Sequence, residues 1–112
     1  MKKYLAFCAI ALCLAACQKK DDPYAAWMGK WNGPEGTYLN LSMRDGDYAV
    51  VVANLDGPLT FKGTATDKGI TFMRDGKTET IKAGDGAATG MKWLAGKKDC
   101  LVINPGEGFC RD

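Results

Sequence analysis

The sequence predicts an all-β protein: a small antiparallel up-and-down meander of about seven to eight strands, closing into a barrel or compact sandwich. Three observations predict it. Turn signals recur at Asp45-Gly46, Asp56-Gly57, Asp67-Lys68-Gly69, Asp75-Gly76 and Asp85-Gly86, spaced 11, 11, 8 and 10 residues apart. Asp-Gly suits the tight hairpin turn whose two central residues both need positive φ. The runs between these turns are β-rich and mostly alternating, and no stretch sustains a 3.6-residue period.

Each run can be placed in order. Thr37 to Met43 alternates, with Leu39, Leu41 and Met43 on one face and Tyr38, Asn40 and Ser42 on the other. Tyr48 to Asn54 is rich in Val and Ala and reads as buried on both faces. Leu59, Phe61, Gly63 and Ala65 form an inward row opposite Thr60, Lys62 and Thr64. Ile70 and Phe72 face in and Thr71 faces out, while Thr78 to Lys82 is a short polar strand, suited to an edge, with Ile81 as its apolar contact. Met91 to Leu94 and Cys100 to Asn104 supply the last two strands, after which Asn104-Pro105-Gly106 turns the chain and Phe109-Cys110 packs back. One helical turn fits near Tyr24 to Met28. Closing such a meander removes its exposed edges.

The beginning of the chain is of a different kind. Met1-Lys2-Lys3 is basic, Tyr4 to Ala16 is apolar and uncharged, and Gln18-Lys19-Lys20-Asp21-Asp22 ends the run. That is the pattern of a secretory signal, and it is shorter than the roughly 20 apolar residues a membrane span needs. Leu14-Ala15-Ala16-Cys17 resembles the bacterial lipobox. The resemblance implies cleavage before Cys17 and lipidation of Cys17 by palmitate-type acyl chains. The expected organisation is a lipoprotein signal peptide over 1–16, a lipidated polar tether over 17–26 and a β-barrel-like domain over 27–112. Gln rather than Asp stands at position 18. By analogy with Gram-negative lipoproteins, the expected location is the cell envelope, at the outer membrane and facing the periplasm. Each buried methylene adds about 0.8 kcal/mol, and one chain alone holds marginally, so stable attachment needs the second chain.

The mature chain is electrically balanced. Losing Lys2 and Lys3 from 15 basic side chains leaves 13, against 13 acidic ones. Balance argues against nucleic acid as a partner and against a polybasic membrane patch. Of five cysteines, Cys8 and Cys13 leave with the leader and Cys17 takes the lipid. Cys100 and Cys110 remain, and in an oxidising compartment they are expected to pair as a disulfide. With no His in the sequence, a zinc site lacks ligands, and neither metal nor cofactor is expected.

The catalytic inventory is thin. Without His there is no imidazole base. Ser42 is the only mature serine and falls in a strand. Carboxylates sit mostly in turns, where little shifts their pKa. Gly84-Asp85-Gly86-Ala87-Ala88-Thr89-Gly90 is glycine-rich but lacks the Gly-Lys-Ser/Thr ending of a phosphate loop. Asp45-Gly46-Asp47 lacks the spacing and terminal Glu of a calcium loop. The expectation is a non-enzymatic binding module.

Three features are candidates for recognition. Lys97 and Lys98 form a basic tip in Gly96-Lys97-Lys98-Asp99. Glu107 and Phe109 lie within the expected disulfide loop, which would preorganise them. Glu35, in the turn Gly33-Pro34-Glu35-Gly36, faces either solvent or a partner. Tyr38, Phe61, Phe72 and Trp93 would line any small cavity. Gly29-Lys30-Trp31 resembles the Gly-x-Trp opening the first strand of lipocalins, which implies that Trp31 plugs one end of a barrel. In size, anchor, fold type and disulfide the chain is similar to small envelope lipoproteins, among them the β-barrel inhibitors of lysozyme. That likeness implies a protein partner but carries over no site; from the residues themselves, Lys97 and Lys98 are the only candidate plug for an acidic cleft. The alternatives from composition are an assembly accessory of an envelope complex and a carrier of a small ligand.

Overall fold

A computed structural model describes residues 22–112 of the protein. The leader, the lipobox and Cys17 lie outside the described residues. Eight antiparallel strands follow one another around a closed barrel in sequence order: β1 (Gly29–Asn32), β2 (Tyr38–Arg44), β3 (Asp47–Asn54), β4 (Gly57–Thr66), β5 (Gly69–Arg74), β6 (Lys77–Gly84), β7 (Cys100–Asn104) and β8 (Glu107–Cys110). The up-and-down meander expected from the turn spacing is therefore the observed topology. No helix among the described residues is long and apolar enough to cross a membrane.

The turns carry the register. At Asp45-Gly46 and Asp75-Gly76 both central residues have positive φ, 47° and 88° in the first and 53° and 76° in the second, as a type I′ hairpin requires. The β3–β4 and β4–β5 turns work differently. Their central pairs are Leu55-Asp56 and Asp67-Lys68, and the glycine is the first residue of the next strand, pairing Asn54 with Gly57 and Thr66 with Gly69. Asn54 Oδ1 accepts the Asp56 N–H at 2.8 Å, closing its turn through a side chain.

Inward residues alternate along every strand, and an eight-stranded barrel is just wide enough for side chains to fill. Leu39, Leu41, Val50, Ile70, Ile81 and Leu101 are each at most 1 % exposed, so the barrel holds a packed core rather than a cup. β3 is buried on both faces as expected, apart from half-buried Val51 and its two ends. Gly63 contributes no side chain because Val50 and Ile70 close over it: a Cβ there would lie 2.7 Å and 2.9 Å from their methyl carbons.

Several expectations need correction. Met91 to Leu94 is not a strand. The chain between β6 and β7 makes two short 3-10 turns, Ala87–Thr89 and Lys92–Leu94. Gly90 between them is left-handed, with φ 67°, which breaks extension. Leu94 turns onto the disulfide instead of into a sheet. Asp85-Gly86 accordingly opens this excursion and is not a hairpin turn. The final strands are β7 and β8, and Phe109-Cys110 belongs to β8 rather than to a tail. β6 is no edge, since it pairs with β5 and β7. Leu59 stands opposite buried Val52 yet is 59 % exposed, because it lies where the barrel opens; Ala65, at the other end of β4, is also exposed. Finally, Asp22–Ala26 is not free tether. It folds back on the barrel, as described next.

A candidate recognition site at the open end of the barrel

The two ends of the barrel are built differently. One end is closed by the segment preceding β1. Tyr24, Trp27 and Met28 pack against the core, and Ala25–Trp27 forms a 3-10 turn, the single turn that the sequence allowed. Tyr24 donates its hydroxyl to the Thr66 carbonyl, and Tyr48 donates its hydroxyl to the Asp22 carboxylate. Burial pushes the Tyr48 phenol well above its usual pKa, and the Asp22 carboxylate adds to the shift. Trp31 is 2 % exposed and donates its indole N–H to the Trp27 carbonyl at 2.8 Å. Arg111 lies over the Trp31 ring at 4.0 Å and donates to the carbonyls of Ala26, Trp27 and Met28. Trp31 thus sits in the plugged end. Nothing in the sequence pointed to Arg111 as its partner, because the pair is far apart in the chain.

The same end holds the basic tip. Lys97 Nζ donates to the Asp112 carbonyl, and the Lys98 N–H donates to the Asp112 carboxylate at 2.7 Å. The Lys98 N–H first, and the Asp99 N–H at 3.2 Å, hold the Asp112 carboxyl below its usual range. Lys97 therefore clamps the C-terminus through its ammonium, whereas Lys98 does so only through its backbone N–H and its side chain is exposed.

The opposite end is open. Its rim is formed by the loop over 33–37 and the turns at 55–56, 75–76 and 105–106. Leu55 is 73 % exposed here. A groove of about 420 Å³ runs between Pro34, Glu35, Val52, Leu55, Met91 and Phe109. It exists because β1 and β8 share a single pair, Asn32 with Cys110, leaving the upper half of β8, paired with β7 on one side, without a strand on the other. The Gly108 N–H is instead accepted by the Met91 sulfur at 3.3 Å, and the Gly106 N–H by the Thr89 carbonyl at 2.7 Å. Glu35 overhangs this groove in the left-handed region, with φ 59°. That conformation costs a non-glycine residue about 1–2 kcal/mol, and such outliers cluster at ligand clamps.

Beside the groove an ionic network caps the core. Arg74 grips Glu107 with two hydrogen bonds of 2.7 Å and reaches Glu79 at 2.6 Å and 3.0 Å. Asn104 donates to both carboxylates, at 3.3 Å and 3.2 Å. The Arg74 guanidinium holds the Glu79 carboxyl below its usual range, and the paired carboxylates raise Arg74 in turn, Glu107 most of all. Both carboxylates are ion-pair partners of Arg74.

Of the residues singled out from sequence, Glu107 is in this network and Phe109 is buried at 4 % exposure, so the disulfide loop does not present Phe109 to a partner. β8 alternates, and position 109 takes the inward side. Cys100 and Cys110 are joined in a disulfide across β7 and β8, on the outward side beneath Leu94 and Met91. With Asp112 they are a grouping of metal-ligand type, but sulfurs bonded to each other offer no thiolate. Tyr38 lies on the outer wall under Lys30, and Trp93 is 78 % exposed, so neither lines a cavity. Sequence reasoning does not reach Leu55 or Met91 as lining of this groove, since Leu55 lies in a turn and the apolar run around Met91 reads as a strand.

Comparison with known proteins returns no match: no family model, no curated protein and no solved structure resembles the chain closely enough to carry an argument.

Proposed function

We propose that the protein is a lipid-anchored, non-catalytic binding module of the bacterial envelope, whose open end engages a protein partner. The observation that carries the reading is the molecule's polarity. Asp22, the first described residue, lies at the closed end against Tyr48, and the apolar groove with exposed Leu55 opens at the other, away from the proposed attachment. A packed interior speaks against the small-ligand carrier, since there is no room inside for cargo. Sites that bind proteins have an apolar centre rimmed by polar groups, and Leu55, Val52 and Pro34 beside Glu35 have that composition.

The test is photo-crosslinking in intact envelopes with the acylated full chain. A crosslinker at Leu55 or Leu59 is expected to capture one protein, and one at Lys82 on the outer wall is not. Equal capture at all three positions, or none, overturns the reading. In the lysozyme-inhibitor version the Lys97 ammonium is held by Asp112, which leaves the exposed Lys98 side chain and the rim as the contacts. Unchanged lysozyme activity at micromolar full-length protein rules it out.

A further inference from the structure

Among the described residues the large apolar side chain most open to solvent is not on the rim. It is Trp93, 78 % exposed, in the 3-10 turn Lys92–Leu94. Its neighbour Leu94 is buried against Cys100 and Cys110, the first residue of β7 and the last of β8, both at the closed end. The earlier part of the excursion, Thr89 to Met91, runs along β8 toward the rim, and its later part, Leu94 to Asp99, is held firmly at the closed end. Gly86 donates to the Lys97 carbonyl at 2.7 Å, Arg111 donates its backbone N–H to the Asp99 carbonyl at 2.9 Å, and Lys97 and Lys98 bind Asp112. A rigid base thus displays an indole beside exposed Lys92, and nothing described in the chain covers it.

We infer that Trp93 seats the closed end of the barrel on the phospholipid headgroup layer. The inference rests on the proposed lipid at Cys17. Residues 17–21 separate that lipid from Asp22, where the folded unit begins. Fully extended they span at most about 17 Å, so the closed end stays close to the bilayer surface. The interfacial region is itself about 5–7 Å deep on each side. Tryptophan favours that layer, because its ring is apolar and its N–H still finds a polar partner. Lys92 beside it can lay its stem along the same boundary and keep its charge in the headgroups. The whole-chain charge balance is compatible with this seat, which needs one aromatic anchor and no polybasic patch. Seating at Trp93 stands the barrel upright and turns the groove at Leu55 and Glu35 toward the periplasmic space, instead of letting it sweep at the end of a slack tether.

The experiment uses the acylated full chain in protein-free phospholipid vesicles with bromine on the upper acyl carbons. Trp93 emission is taken as the difference between wild type and Trp93→Phe, since Trp27 and Trp31 remain in both. The expected result is a blue shift and a loss of the Trp93 component in brominated vesicles, with the Trp27 and Trp31 emission little changed. A protein that floats with the vesicles while Trp93 stays unshifted and unquenched overturns the seat and leaves the anchor standing. A protein that does not float overturns the anchor and this inference with it. Trp93 that is unquenched in vesicles but crosslinks to a protein in native envelopes overturns the bilayer as its partner.

Discussion

At the scale of single residues, the open end depends on Arg74 standing between two carboxylates. Removing it leaves Glu79 and Glu107 facing one another in a largely buried site. Breaking a fully buried pair costs about 3–5 kcal/mol; some solvent reaches this one, so Arg74→Met is expected to cost about 1–3 kcal/mol by urea unfolding. The combined change Arg74→Met, Glu79→Gln, Glu107→Gln should recover much of that loss, because an unpaired charge is worse than none. The sign of the pH dependence follows from Glu79. Its folded pKa is depressed, so its contribution is present above the ordinary glutamate pKa and disappears as pH falls through the folded value. Wild type should therefore lose stability in acid more steeply than Glu79→Gln, and equal acid limbs would refute the pairing. Tyr48 acts at the other extreme. Its folded pKa is raised, so its contribution is present below about pH 10 and lost as pH rises beyond that. Tyr48→Phe should forfeit about 1 kcal/mol at neutral pH and show a shallower alkaline limb than wild type.

At the scale of elements, strands were legible wherever a short-range rule governs them. Asp45-Gly46 and Asp75-Gly76 announce hairpins because the required positive φ is a property of those residues themselves. Leu39-x-Leu41 and Ile70-x-Phe72 announce inward faces because pleat has a fixed period of two. The excursion between β6 and β7 was not legible, since Met91 and Leu94 are apolar for reasons outside their own segment. Leu94 covers a disulfide, and Met91 answers a backbone N–H on β8 that has no strand beside it. The groove was invisible for the same cause: it exists through the single-pair closure of β1 on β8, a property of the ring and of no one run. The disulfide was legible from cysteine count and from the compartment that the leader implies. It closes a separation of 10 residues, for which chain entropy gives about 2.7 kcal/mol, so Cys100→Ala with Cys110→Ala should lower unfolding free energy by about that much. The glycine of one turn gives a second element-scale test. A Cβ on Gly69 would stand 2.0 Å from the Ile81 carbonyl oxygen, and its φ of 147° is foreign to other residues. Gly69→Ala is therefore expected to part β5 from β6 and cost about 2 kcal/mol or more, whereas Gly96→Ala, with open space around it, should cost little.

At the scale of the whole molecule, the closed end is both the plug of the barrel and the place where the proposed tether would join it, so anything that loosens the plug would also lengthen that tether. Arg111 is the pin. It holds three carbonyls of the segment Ala26 to Met28 and covers Trp31, joining the C-terminal end of the barrel to its N-terminal strap. Charged hydrogen bonds contribute about 1.5–3 kcal/mol each when buried and a cation over an indole about 0.5–1 kcal/mol at an exposed site. Arg111 is exposed, so Arg111→Ala is expected to cost only about 1–2 kcal/mol in total. Its effect should be local before it is global. With the strap released, Tyr24 and Asp22 leave Thr66 and Tyr48, Trp31 gains water, and hydrogen exchange should rise at the amides of Trp27 to Trp31 while β3 and β4 stay protected. If Cys17 carries the proposed lipid, released residues 22–28 would extend its reach by about 23 Å, and a barrel on so long a leash should no longer hold its groove at a set height above the bilayer. Energy transfer between a probe at Leu55 and a labelled headgroup measures that height directly. A single distance in wild type that spreads into a broad distribution in Arg111→Ala is the expected outcome, and identical distributions would separate the plug from the orientation of the groove.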